Sequence, residues 1–66
     1  MKAKSNETFV VVCYGNAETY AESKRNSVIK KFTRYMMGCD PDSSEYDRYM
    51  SIVDDLRIGK KVCRDM

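Results

Sequence analysis

The chain has 66 residues, a formal net charge of +2 and no histidine. That length allows one domain, which buries only roughly 60% of the surface its unfolded form exposes, so a metal, a disulfide, a second copy or a partner would help to stabilise it. Without histidine there is no Ser–His or Cys–His catalysis and no imidazole ligand, and so small a net charge does not argue for nucleic acid by itself.

Residues 1–7 are polar, lack the apolar core of a signal sequence, and are expected to form a disordered lead-in to a single domain over residues 8–66. Residues 8–14, TFVVVCY, are β-branched and aromatic and read as a strand. Gly15-Asn16 suits a type II′ hairpin turn, and residues 17–21, AETYA, return as the second strand. That turn pairs Tyr14 with Ala17, Val12 with Thr19 and Val10 with Ala21. Those six share one face; Phe9, Val11, Cys13, Glu18 and Tyr20 share the other. Both faces are substantially apolar. One is expected to pack on helices; the other is left either as a sheet face with some exposed apolar side chains, which is common, or as a contact surface for another chain, a second copy in a homodimer included.

Residues 23–37, SKRNSVIKKFTRYMM, read as an amphipathic helix. Val28, Ile29, Phe32, Tyr35 and Met36 recur at helical spacing on one face. Ser23 is the expected N-cap and Gly38 the expected left-handed stop. The GCDPD stretch at 38–42 breaks the helix, because a residue before proline is biased out of the helical region. Asp42-Ser43-Ser44-Glu45 fits a capping box with Asp42 or Ser43 as the cap. The second helix carries Tyr46, Tyr49, Ile52, Val53 and Leu56 as its apolar stripe and ends at Gly59. Residues 60–65, KKVCRD, are expected to add a third strand through Val62 and Cys63. The order is ββααβ, an α+β domain with two antiparallel helices on one face of a small sheet.

Three features bear on function. Cys13, Cys39 and Cys63 are widely spaced, with no CxxC pair; they read as small buried hydrophobes, or, if they converge, as a zinc site with Asp40 or Asp65 as a fourth ligand. An odd cysteine count without a signal sequence, and no run near the roughly 20 apolar residues of a membrane span, point to a soluble protein of the reducing cytosol. Lys24, Lys30, Lys31 and Arg34 line the polar side of the first helix, where they would meet phosphates or solvent alone. Asp47, Asp54 and Asp55, near Asp40, Asp42 and Glu45, make the second helix acidic. Asp54 and Asp55 sit at the end that the helix dipole disfavours, so capping does not account for them. The five tyrosines and five methionines tilt the chain towards a binding protein, since both types are enriched at interfaces.

From Ala21 onward the chain resembles a group of small, mostly uncharacterised proteins encoded on prophages and other mobile elements of Firmicutes. The resemblance rests on AESKR at 21–25, MMGCD at 36–40, SEYDRY at 44–49 and LRIGKKVCRD at 56–65. Cys13 lies outside it. Mobile-element proteins of this size and composition include anti-CRISPR inhibitors of type II-A Cas9, so the resemblance implies a counter-defence or regulatory role in a bacterial host. The leading expectation is a non-enzymatic inhibitor that docks Asp47, Asp54 and Asp55 on a Cas9-type nuclease and blocks guide or target loading. The alternative is a small nucleic-acid-binding regulator using Lys24, Lys30, Lys31 and Arg34.

Overall fold

The computed structural model describes residues 7–65. The first hairpin pairs β1 (Thr8–Cys13) with β2 (Asn16–Ala21). A short 3-10 turn, Glu22–Lys24, leads into α1 (Arg25–Met37). Next come α2 (Ser44–Ile58) and β3 (Val62–Arg64). The sheet order is β2-β1-β3, with β1 antiparallel to β2 and parallel to β3. This is the expected α+β arrangement. Of the expected lead-in, residues 1–6 lie outside the described residues. The Glu7 carbonyl accepts from the Glu22 N–H at 3.0 Å and so continues the hairpin ladder.

The hairpin register differs from the expected one by two residues. Val12 pairs with Ala17, Val10 with Thr19 and Thr8 with Ala21. The turn is Tyr14-Gly15, with φ of 52° and 82°, so both central residues are left-handed as in a type I′ turn. The cause is a long-range bond: the Tyr14 N–H donates to Asp65 Oδ2 at 2.8 Å, from the residue after β3. A shift of two preserves the faces, because side chains alternate with a period of two. Of the two apolar faces, the one carrying Phe9 and Val11 points into the core, joined by Cys63 of β3, by Val28 and Phe32 of α1, and by Ile52, Val53 and Leu56 of α2.

The helix ends follow different rules. Ser23 does not cap α1. The preceding 3-10 turn does that work, since the Arg25 N–H bonds to the Glu22 carbonyl and no side chain caps the helix. Gly38 is not left-handed either. Its φ is −83° and its N–H donates to the Arg34 and Tyr35 carbonyls, so α1 tapers through a last tight turn before Pro41. Gly59 at φ 89° closes α2 with a Schellman pair: Lys60 N–H to Asp55 O at 3.1 Å and Gly59 N–H to Leu56 O at 3.3 Å. At the other end Ser43 is the cap. Its Oγ accepts from the Tyr46 N–H at 3.2 Å and donates to the Asp40 carbonyl at 2.7 Å. Ser43→Ala removes both bonds and should cost about 0.5–2 kcal/mol. Thermal unfolding should show a fall of several degrees; an unchanged midpoint would mean the cap contributes nothing.

Candidate functional site

The three cysteines do not meet. Cys63 is fully buried opposite Val11 and its thiol faces the Lys60 carbonyl. Cys39, in the interhelical connector, donates to the Tyr35 carbonyl at 3.3 Å. Cys13 ends β1. Among the described residues no three Cys, Asp or Glu side chains gather in a metal-binding arrangement. Burial raises the pKa of both Cys13 and Cys63, which keeps the thiols protonated and unlike metal-ready thiolates. The expected carboxylate ligands have other duties. Asp65 accepts from the Tyr14 N–H and pairs with Arg48 at 3.2 Å, and Asp40 bonds to the Asp42 N–H.

The acidic residues of α2 separate into two kinds. Asp55 is held within the fold: Oδ2 accepts from the Arg64 N–H at 3.2 Å and Oδ1 faces Lys60 Nζ at 3.5 Å. It anchors β3 beside α2. Asp47 and Asp54 are exposed, with no cation within ion-pair distance among the described residues. Seven residues apart, they share one side of α2. Met50 and Ile58 share it too and are exposed by 38% and 70%. This face is thus an apolar strip carrying two free carboxylates, with Arg57 at its margin.

Three cations of α1, Lys30, Lys31 and Arg34, fall within an arc of about 100° at about 100° per residue, and Lys24 precedes them in the 3-10 turn. Lys24, Lys30, Lys31 and Arg34 are all exposed, and none is ion-paired among the described residues. Lys31 leans towards the sheet, 5.7 Å from the Tyr20 ring centroid, and donates to the Tyr20 hydroxyl, which raises its pKa. Arg25 belongs to the same basic run in sequence but not in space. It folds inward beneath the end of α2, which Val28 and Phe32, three and seven residues on, place on the core side.

Sequence spacing did not reveal an aromatic cleft between the hairpin tip and the helices. Tyr49 of α2 is its floor. Tyr14 meets Tyr49 edge-on at 6.3 Å, Tyr35 lies 5.7 Å away and Phe32 6.2 Å away. The cleft holds about 270 Å³, with Glu18 and Lys31 at its rim. Its residues come from β1, β2, α1, α2 and the hairpin turn, so only the tertiary fold assembles it. The sheet face opposite the helices remains open, carrying Val10, Val12, Ala17, Thr19 and Val62. Three strands of at most six residues give it on the order of 300 Å². Two such faces would bury about 600 Å², well below the roughly 1,200 Å² of a stable interface. A homodimer would need more surface than this face offers.

No helix among the described residues is long and apolar enough to cross a membrane. No family model, curated protein or solved structure matches the chain.

Proposed function

We propose that this chain is a non-enzymatic binding protein of a phage or other mobile element, and that it inhibits a host defence protein by docking the outer face of α2 on it. The observation that carries this reading is the juxtaposition of Asp47 and Asp54 with exposed Met50 and Ile58. Such a face fits a groove with apolar pockets and a basic rim, the surface that a nuclease presents to its guide or target strand. The resemblance to small mobile-element proteins makes a type II-A Cas9 the first partner to test, in the cytoplasm of a bacterial host. Asp55 is left out of the docking set because it secures β3.

The test is target cleavage by such a nuclease, with the protein added before guide, after guide or after target. Loss of cleavage in one order identifies the blocked step. The pair Asp47→Lys and Asp54→Lys should abolish inhibition while the fold survives, since neither residue has an ion pair to lose among the described residues and the charge of Asp47 in the first turn of α2 contributes only about 0.3–1 kcal/mol. Full cleavage in every order removes this nuclease as the partner.

A second reading has its own support. The four unpaired cations of α1 and the turn before it form one basic face and would bind nucleic acid as a small regulator, with affinity falling steeply as salt rises. A salt-sensitive gel shift supports this reading, whereas a salt-sensitive pull-down of nuclease supports the first.

A further inference from the structure

Lys31 stands at a junction. It lines the aromatic cleft together with Tyr14, Tyr35 and Tyr49. It also lines a groove along α1 with Lys30 and Arg34, and another that runs past Tyr20 to Lys24. The three depressions therefore form one track. Four cations lie along it, and a tyrosine-lined recess opens at one side.

A positive groove beside exposed aromatic rings is how proteins hold a single strand without reading its sequence. Tyr14 and Tyr35 keep 48% and 45% of their surface exposed while still packed on Tyr49, so their rings are held in place and accessible. The volume also limits the guest. At about 270 Å³ the cleft lies just below the roughly 300–1,000 Å³ of ordinary ligand pockets, which suits one ring system and not an extended ligand. Asn16 and the Glu18 carboxylate offer hydrogen-bond partners to the edge of a ring. Glu18 would repel a phosphate at the same spot, which leaves the phosphates to the α1 side of Lys31. A base inside a duplex is stacked and cannot enter.

We infer that the cleft takes one unpaired base of a single-stranded nucleic acid, with the flanking phosphates on Lys30, Lys31 and Arg34. The inference rests on the nucleic-acid reading of α1 and adds a strand type and a base site to it. It is independent of the α2 face, which lies on a different surface of the domain.

Fluorescence anisotropy tests this at low salt, with labelled oligo-dT, an abasic strand of the same length, and a blunt duplex. The unaltered protein should bind oligo-dT more tightly than either of the others. Tyr35→Ala should erase that preference, weakening oligo-dT binding roughly five- to a hundredfold towards the abasic level, while Tyr35→Phe keeps the ring and the preference. Equal affinity of the unaltered protein for the oligo-dT and abasic strands would overturn the base site and leave the basic face standing. Binding to none of the three would overturn both. The comparison of strands on the unaltered protein decides the question even if Tyr35→Ala fails to fold.

Discussion

Phe9→Ala should remove a large part of the domain's folding stability. Phe9 is 1% exposed, and its ring is covered on two sides: Tyr20 stacks at a centroid distance of 5.6 Å, and the Arg25 guanidinium lies 4.3 Å from its centre. The loss combines the transfer energy of the ring with the cavity left behind, about 3–5 kcal/mol for phenylalanine to alanine. A chain of this size has about 3–10 kcal/mol of stability in all. The expected result is a fall in melting temperature of more than about 12 °C, or no cooperative transition. Phe9→Leu refills much of the space and should retain a cooperative transition. A Phe9→Ala protein within about 1 kcal/mol of the original would mean that β1 does not present this face to the helices.

The size of that effect follows from how few side chains make the core. Among the described residues eight apolar side chains are buried, contributed by β1, α1, α2 and β3. β2 supplies none; its inward Tyr20 is half-buried and Glu18 exposed. The hairpin is therefore held to the helices chiefly through β1. The short parallel β3 closes the sheet's other edge. It is attached by Asp55 to the Arg64 N–H and by Ser51 Oγ to the Arg64 carbonyl at 3.0 Å.

Much of this architecture was legible in the sequence because its signals are local and periodic. The β-branched run TFVVVC marked β1 and its alternation set which residues share a face, though not which face is buried, and Ser43 and Gly59 marked α2 at both ends. What could not be read depends on distant residues. Gly15-Asn16 carries the local turn signal, yet the turn forms at Tyr14-Gly15, where Tyr14 takes a φ of 52° and its N–H meets a carboxylate 51 positions away. Asp55 reads as outward by helical spacing, and becomes structural only because β3 returns alongside α2. The cleft draws on Tyr14, Tyr35 and Tyr49, each of which has a sufficient local explanation as the end of a strand or as part of a helix's apolar stripe. Arg25 is different, because its signal was present and overlooked. It shares the spacing of Val28 and Phe32, so a cation on that line either meets the core or caps something within it.

Arg25 does the latter, and Arg25→Met should be the most damaging charge removal in the chain. Its Nη1 donates to the Leu56 carbonyl at 2.9 Å and Nη2 to the Lys60 carbonyl at 3.0 Å, beside the Schellman turn that ends α2. Nε and Nη2 grip the two Glu22 oxygens at 2.9 and 2.8 Å, and the same plane covers Phe9. One side chain thus ties the start of α1 to the end of α2 and to the sheet. Losing the part-buried Leu56 carbonyl bond alone should cost about 1.5–3 kcal/mol, as a hydrogen bond to a charged donor does, and the exposed Lys60 bond adds less because water replaces it. Arg25→Lys should recover only part, since an ammonium cannot reproduce the planar fork.

The pH dependence separates this clamp from simple packing. Hydrogen bonding to Arg25, ahead of a smaller contribution from Lys61, holds the Glu22 carboxyl at about 2. Because this pKa is depressed in the folded state, the pair's contribution is fully present above the ordinary glutamate value of about 4.3 and fades as pH falls through about 2. Asp65 is also depressed, by the Tyr14 N–H and then Arg48, and loses its contribution on the same side. Arg25→Met releases Glu22 but leaves Asp65 untouched. Plotted against pH, the stabilities of the two proteins should be furthest apart near neutrality and draw together as the solution is acidified towards about pH 2. Parallel curves over that range would mean that Arg25 stabilises the fold by its bulk over Phe9 and its carbonyl bonds, and that its pairing with Glu22 contributes nothing.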